Sequence, residues 1–141
     1  MRRWIILSGV LVLAVLVGIQ LVPVDTSNPP VTADVPTSPE VKAVLRRACY
    51  DCHSNETTWP WYSRVAPVSW LIAQDVHEGR AELNFSRWDQ YSTQQQVKHL
   101  KESWEQVVEG EMPPWFYLPV HRDARLSAED RGLLRQWARQ R

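Results

Sequence analysis

The sequence predicts an all-α protein, in which a small helical domain follows one apolar N-terminal helix. Apolar residues recur with helical spacing in four segments behind the N-terminus, and helix-capping serines precede three of these segments. No segment alternates apolar and polar residues as a half-buried strand does. A chain of 141 residues is long enough for one domain of modest size.

The N-terminus has the features of a membrane anchor. Arg2 and Arg3 precede an apolar run from Trp4 to Val22, in which only Ser8 and Gln20 are clearly polar. A spanning helix needs about 20 residues, whereas the apolar core of a signal peptide has about 7 to 15, so the length favours an uncleaved anchor over a removed signal peptide. Because positive charge precedes the run, we expect the rest of the chain on the periplasmic side of the inner membrane, behind a single pass.

Composition divides the chain into three parts. Residues 1–22 are the predicted anchor, or signal peptide, and residues 23–38 are rich in proline and small polar residues, which is typical of a semi-rigid tether. Residues 39–141 form the predicted domain. The net charge of zero and the absence of a basic cluster give no indication of nucleic-acid binding.

The first helix of the domain begins at Ser38, which can cap it, with Pro39 in the first helical position. Its apolar stripe would contain Val41, Val44, Leu45, Ala48, Cys49 and Cys52. If this helix continues unbroken, both thiols face the core rather than water.

Three further helices follow, with two aromatic loops between them. The first is predicted to extend from Pro67 to about Glu78 and to end at Gly79. The second is predicted to begin at Ser92, which can form a capping box with Gln95, and to end at Gly110. The last is predicted to begin at Ser127, which can form a capping box with Asp130. Their expected buried faces are Val68, Leu71, Ile72 and Val76, then Val97, Leu100, Trp104, Val107 and Val108, and finally Leu133, Leu134 and Trp137. The loops, at 58–67 and 110–121, hold so many aromatic residues that a large flat ligand is expected to complete the core.

Both cysteines of the chain lie in the stretch RACYDCHSN, residues 47–55, as Cys49 and Cys52, with His53 directly behind. A dithiol exchange pair is expected at a helix N-terminus after a strand, but this pair ends a helix. A structural zinc site needs four ligands, and the other histidines are scattered. A disulfide across this spacing closes a very small loop and adds little stability.

The spacing is that of c-type haem attachment, which needs two thiols for the two vinyl groups and the next residue as axial ligand. We therefore favour one covalent haem c bound through Cys49 and Cys52, with His53 as the proximal iron ligand. The dithiol, zinc and disulfide interpretations remain open as alternatives.

Met112 is the best candidate for the distal iron ligand. It is the only methionine beyond the first residue, and the two prolines that follow it in GEMPPWFY stiffen the loop. The alternative is a methionine that fills a gap in the core. His77 and His121 are weaker candidates for the same position, and His99 is expected to be a solvated surface residue.

The run CYDCHSNETTWPWYSRVAPVSWLIAQDVHEGRAELNFSRW, followed by EGEMPPWFYLPVHRDARLS, resembles the small bacterial haem-binding domain family of c-type cytochromes. The similarity extends from about Ser38 to the C-terminus. It implies a small cytochrome c-like helical domain around one covalent haem, with attachment at Cys49 and Cys52, proximal His53 and distal Met112. It does not imply a particular redox pathway.

The expected function is that of a membrane-tethered, single-electron carrier in the periplasm, which is not an enzyme. Its expected partners are redox proteins, and the inner membrane through the N-terminal helix. The alternatives are a haem sensor or peroxidase-like module with an open distal site, and an accessory subunit of a respiratory complex. Ligation of the iron by Met112 would distinguish the electron carrier from the open-site alternatives.

Overall fold

Helices make up the regular structure of residues 2–139, which are the residues that the computed structural model describes. They are α1 (Arg2–Gly18), α2 (Pro39–Ala48), α3 (Tyr50–His53), α4 (Val68–Glu82), α5 (Thr93–Glu109) and α6 (Ala128–Trp137). Short 3-10 turns lie at Ile19–Leu21, Trp61–Arg64, Trp88–Gln90 and Arg122–Ala124. The predicted all-α class, behind an N-terminal apolar helix, is confirmed.

The described residues divide into two compact units. The first contains residues 2–27 and 59–75, and the second contains residues 28–58 and 76–139. Helix α4 begins in the first unit and ends in the second.

In the first unit, α1 and the 3-10 turn Ile19–Leu21 that follows it are together long and apolar enough to cross a membrane. The polar side chain near the end of this run, Gln20, is bonded to the loop before α4. Its Nε2 donates to the Ala66 carbonyl at 3.1 Å, and its Oε1 accepts from the Ala66 N–H at 3.0 Å. One amide side chain therefore satisfies both backbone groups of Ala66.

In the second unit, the predicted helix starts are confirmed. The Ser38 hydroxyl accepts from the backbone N–H of Val41, and complete capping boxes begin α5 at Ser92 and α6 at Ser127. Gly110 ends α5 with φ +80°, a left-handed conformation that glycine adopts without strain. The core of this unit consists of Val35, Val41, Val44, Leu45, Tyr50, Phe85, Trp88, Leu100, Val107, Leu134 and Trp137.

The predicted continuous helix from Ser38 to Cys52 is wrong, because the chain breaks at Cys49. This residue has φ −131° and ψ −35°, which separates α2 from the four-residue helix α3. The Cys49 carbonyl then accepts from the N–H groups of Cys52 at 3.2 Å and His53 at 2.9 Å. The CYDCH motif is thus a separate helical turn with its own hydrogen bonds.

Two of the predicted buried faces are only partly correct. In α4, Val68 and Leu71 are 43% and 63% exposed, whereas Val76 is buried. The buried side of α4 instead runs through Ser69, the partly buried Ile72 and Ala73, and Val76, so it is rotated away from Val68 and Leu71. In α5, Val97 and Val108 are exposed because only the line through Leu100 and Val107 lies in the core, and the residues on either side of it face outward.

The second half of the predicted tether packs on the second unit. The Val35 N–H donates to the Phe85 carbonyl at 3.1 Å, and the Trp88 N–H donates to the Ala33 carbonyl at 3.0 Å. The Val35 side chain is only 2% exposed. Residues 28–38 therefore contribute an extended segment to this unit, alongside residues 84–88.

We predict that Val35→Ala lowers the free energy of unfolding by about 2 kcal/mol, because two buried methyl groups are lost and a cavity remains. Val31→Ala, at an exposed position of the same segment, is the matched control and should change stability by less than about 0.5 kcal/mol. Urea unfolding of the full chain in detergent, followed by circular dichroism, measures both. Equal effects would contradict the packing of this segment.

Candidate functional site

His53, the last residue of α3, is fixed through one ring nitrogen. Its Nδ1 lies 2.9 Å from the Gly79 carbonyl oxygen and 3.2 Å from that of Leu83. Carbonyl oxygens only accept hydrogen bonds, so Nδ1 carries the proton and donates it. In a neutral imidazole Nε2 then keeps its lone pair, which is the arrangement of most metal-bound histidines.

The surroundings of His53 favour the neutral ring. Burial lowers the pKa of His53, and the hydrogen bonds to the Leu83 and Gly79 carbonyls oppose this shift without reversing it. A neutral imidazole is the form that binds a metal ion. Burial thus keeps the ring neutral, and the proton on Nδ1 leaves the lone pair on Nε2, so Nε2 is available as a metal ligand.

The segment after α4 holds His53 from a second direction. The Phe85 N–H donates to the His53 carbonyl at 2.8 Å, and the two rings are in edge contact with centroids 6.5 Å apart. Phe85 is 1% exposed and also stacks on Tyr50 at 5.4 Å. The LNFS segment, residues 83–86, thus restrains both the backbone and the ring of His53.

Gly79 allows α4 to approach the CYDCH turn. A Cβ atom at this position would lie 2.7 Å from the Cys52 carbonyl oxygen, closer than real Cβ contacts allow. The prediction that Gly79 ends the helix is wrong, because α4 continues to Glu82. The signal in the sequence was a glycine among helix-forming residues, in HEGRAE, which also indicates close packing.

A buried polar network that the sequence did not predict links the chain after His53 to the segment after α4. The Asn84 side-chain amide donates to Asn55 Oδ1 at 2.8 Å, and the Asn55 N–H donates to Ser86 Oγ at 3.0 Å. The Ser86 N–H completes the loop by donating to Asn84 Oδ1 at 2.9 Å. All three residues are at most 4% exposed, so these bonds fix the chain after His53 against the segment after α4.

Arg80 adds a further link between α4 and the chain after His53. Its Nε donates to the Ser54 carbonyl at 2.8 Å, and its guanidinium also donates to Thr57 Oγ1 at 2.8 Å. Consecutive residues of α4, Gly79 and Arg80, thus contact the end of the motif and the chain that follows it.

The two cysteines are partly buried and unbonded to each other. Burial, together with the nearby Cys52, raises the pKa of the Cys49 thiol to about 12. A dithiol exchange pair needs the opposite, a thiol with a lowered pKa. Within residues 2–139, no three His, Cys, Asp or Glu side chains cluster as a metal site, so the zinc interpretation gains no support either.

The loop that carries Met112 is bonded to the motif. The Tyr117 hydroxyl donates to Asp51 Oδ2 at 2.7 Å, and Asp51 is the middle residue of CYDCH. Burial and the neighbouring carboxylate raise the pKa of Tyr117, so it remains a donor. Met112 itself is partly buried, and its N–H donates to the Gln106 carbonyl at 3.1 Å.

The other histidines have different surroundings. His121 stacks on Tyr117 with centroids 3.9 Å apart, and His77 is exposed. The expectation that His99 is solvated is wrong, because its ring is partly buried against Tyr91, at 4.5 Å between centroids.

An all-α domain that presents a neutral, restrained histidine behind a pair of cysteines has the features of a helical haem-binding protein. The chain matches the family model described as haem-binding domain over residues 14–140, and it belongs to this family. It is therefore a haem-binding protein. No curated protein and no solved structure matches it.

The residues of the motif fit a haem. His53 offers Nε2 as an axial ligand with its other nitrogen already bonded, as ligating histidines require. Cys49 and Cys52 lie within four residues of it on the same short turn, which is the spacing that thioether attachment needs.

We predict that Gly79→Ala destabilises the protein by about 1 to 3 kcal/mol, because the added methyl group forces α4 away from Cys52. The same change should reduce haem loading, since the carbonyls that hold His53 move with α4. Thermal unfolding and the ratio of haem to protein absorbance measure the two effects.

Gly132→Ala is the matched control. Gly132 lies inside α6, where an added Cβ meets nothing within 4 Å, so the exchange should be neutral or stabilise by up to about 1 kcal/mol. A Gly79→Ala protein as stable and as well loaded as this control would refute the close approach of α4.

Proposed function

We propose that the protein is a c-type cytochrome that carries single electrons on the periplasmic side of the inner membrane. In this proposal one haem forms thioether bonds with Cys49 and Cys52, His53 is its proximal ligand and Met112 its distal ligand. The observation that carries the proposal is the placement of a neutral histidine, with Nδ1 bonded and Nε2 free, directly behind the two cysteines.

Haem supplies reversible one-electron oxidation and reduction of its iron, and the chain sets its ligands and surroundings. Hydrogen bonds from Nδ1 to Gly79 and Leu83 orient the ring and increase the basicity of Nε2. A thioether from Met112 would favour the reduced iron and raise the reduction potential.

The bond between Tyr117 and Asp51 supports Met112 as the distal ligand. Because it fastens the loop 110–121 to the motif, it limits where Met112 can move relative to the haem attachment site. The Met112 N–H also donates to the carbonyl of Gln106, six residues earlier in α5, and this bond fixes the start of the same loop. Tyr117 would thus act as a positioning residue for the distal ligand.

The role of an electron carrier, rather than an enzyme, is supported by the surroundings of the two candidate distal bases. A peroxidase-like site needs a group free to move protons beside an open iron. His121 is stacked flat on Tyr117, and His77 is exposed to solvent.

Helix α1 supports a membrane-bound location for this carrier. Its length and composition allow it to cross a membrane, and Arg2 and Arg3 at its start favour a cytoplasmic N-terminus. Anchoring would raise the local concentration of the haem domain near membrane-bound redox partners, so transfer would not depend on tight binding.

The proposal is tested by absorption spectra of the full chain, produced with a haem attachment system. We predict that wild-type protein keeps its haem after denaturation, whereas the Cys49→Ser, Cys52→Ser double variant loses it. The ferric wild-type protein should show the weak long-wavelength band of methionine-ligated haem, and Met112→Ala should lose this band while the haem stays attached. His77→Ala and His121→Ala are the controls, and both should keep the band.

Two results would overturn parts of this proposal. Haem that dissociates from denatured wild-type protein would exclude covalent attachment. A wild-type protein without the methionine band, whose ferrous iron binds carbon monoxide readily, would have an open distal site and would instead be a sensor or peroxidase-like module.

A further inference from the structure

The first unit exposes a group of apolar side chains that its own packing does not explain. Trp61 is 78% exposed, Leu71 is 63% exposed, and Val65 and Val68 are each 43% exposed. We call these four residues the apolar patch. It lies on the 3-10 turn Trp61–Arg64 and the first turns of α4, where a water-facing surface would normally carry charges.

The apolar patch is tied to the end of helix α1. Gln20 donates one hydrogen bond to Ala66 and accepts another from it, and Ala66 directly follows Val65. Gln20 is also near the end of the apolar run that could cross a membrane, and Leu21 beside it is 81% exposed. The two bonds therefore hold the patch beside the point where α1 would leave the bilayer.

The chemistry of the segment suits a lipid interface. Tyr62 lies edge-on to Trp61, with centroids 5.7 Å apart, and amphipathic aromatic rings concentrate at the boundary between acyl chains and headgroups. Arg64 is exposed between these rings and Val65, where a cation can contact a lipid phosphate. Between residues 59 and 75, only Arg64 and Asp75 are charged at neutral pH.

We propose that the apolar patch inserts into the interfacial layer of the same bilayer that α1 spans, with Arg64 at the lipid headgroups. This inference rests on the proposed membrane anchoring by α1. It adds a second membrane contact, formed by the loop 59–67 and the start of α4, so that the protein is held at the surface by more than one helix.

A second exposed aromatic group offers a matched control. Trp115 is 80% exposed and Phe116 is 53% exposed, but they belong to the second unit, whereas α1 belongs to the first. Exposure alone therefore does not distinguish Trp61 from Trp115. The proposal assigns the bilayer to Trp61 only.

The test is fluorine NMR on the full, haem-loaded chain labelled with fluorotryptophan. The protein is placed in nanodiscs of phosphatidylcholine and phosphatidylglycerol, and the signals of Trp4, Trp61 and Trp115 are assigned with Trp→Phe variants. Each signal is compared with and without a lipid that carries a nitroxide near its headgroup, and with and without a soluble gadolinium chelate. All spectra are recorded in the ferric state.

We expect the nitroxide lipid to broaden Trp61 about as strongly as Trp4, which reports on α1 itself, and to leave Trp115 sharp. The soluble chelate should broaden Trp115 and spare Trp61. If Trp4 responds to the lipid but Trp61 responds to the chelate, the patch faces water or a protein partner and the inference is wrong, although anchoring stands.

If Trp4 also fails to respond to the lipid, anchoring by α1 is wrong and the inference falls with it. The proposed cytochrome function is judged separately, from the absorption spectrum of the same sample. Failure of the haem site therefore cannot be mistaken for failure of the membrane contact.

Discussion

The candidate site depends on the hydrogen bonds that His53 Nδ1 donates to the Gly79 carbonyl in α4 and to the Leu83 carbonyl directly after it. Those bonds require the last turn of α4 to lie against the CYDCH turn, and this approach is open only because Gly79 has no side chain. They also require the chain to return immediately after Leu83, so that the Phe85 N–H reaches the His53 carbonyl. A single geometric requirement thus accounts for a glycine inside a helix, the length of α4 and the LNFS segment.

Local signals in the sequence predicted much of this architecture. Ser38, Ser92 and Ser127 cap helices, and their effects extend over only three or four residues, which is why the starts of α2, α5 and α6 were predicted correctly. The same holds for Gly110 at the end of α5. The sequence also indicated the haem-binding class, because the spacing of the CYDCH motif is itself local.

Such local signals do not predict contacts between residues that are far apart in the chain. A glycine late in an apolar helix is ordinarily its terminator, and only the neighbouring Cys52 carbonyl reveals that Gly79 serves close packing. The stripe predicted for α4 failed for a related reason, because the buried side of the helix runs through the polar Ser69 and through Val76 rather than through Val68 and Leu71. The exposed Val68 and Leu71 therefore stand out only once the packing is known, and they led to the proposed membrane contact.

The most direct test of the account is nitrogen-15 NMR of the histidine side chains in the reduced, haem-loaded protein. The account predicts that Nδ1 of His53 carries a proton that exchanges slowly with water, since it is buried and bonded to Gly79 and Leu83, and that Nε2 carries none. A His53 ring with its proton on Nε2, or with an Nδ1 proton that exchanges as fast as that of the exposed His77, would contradict it.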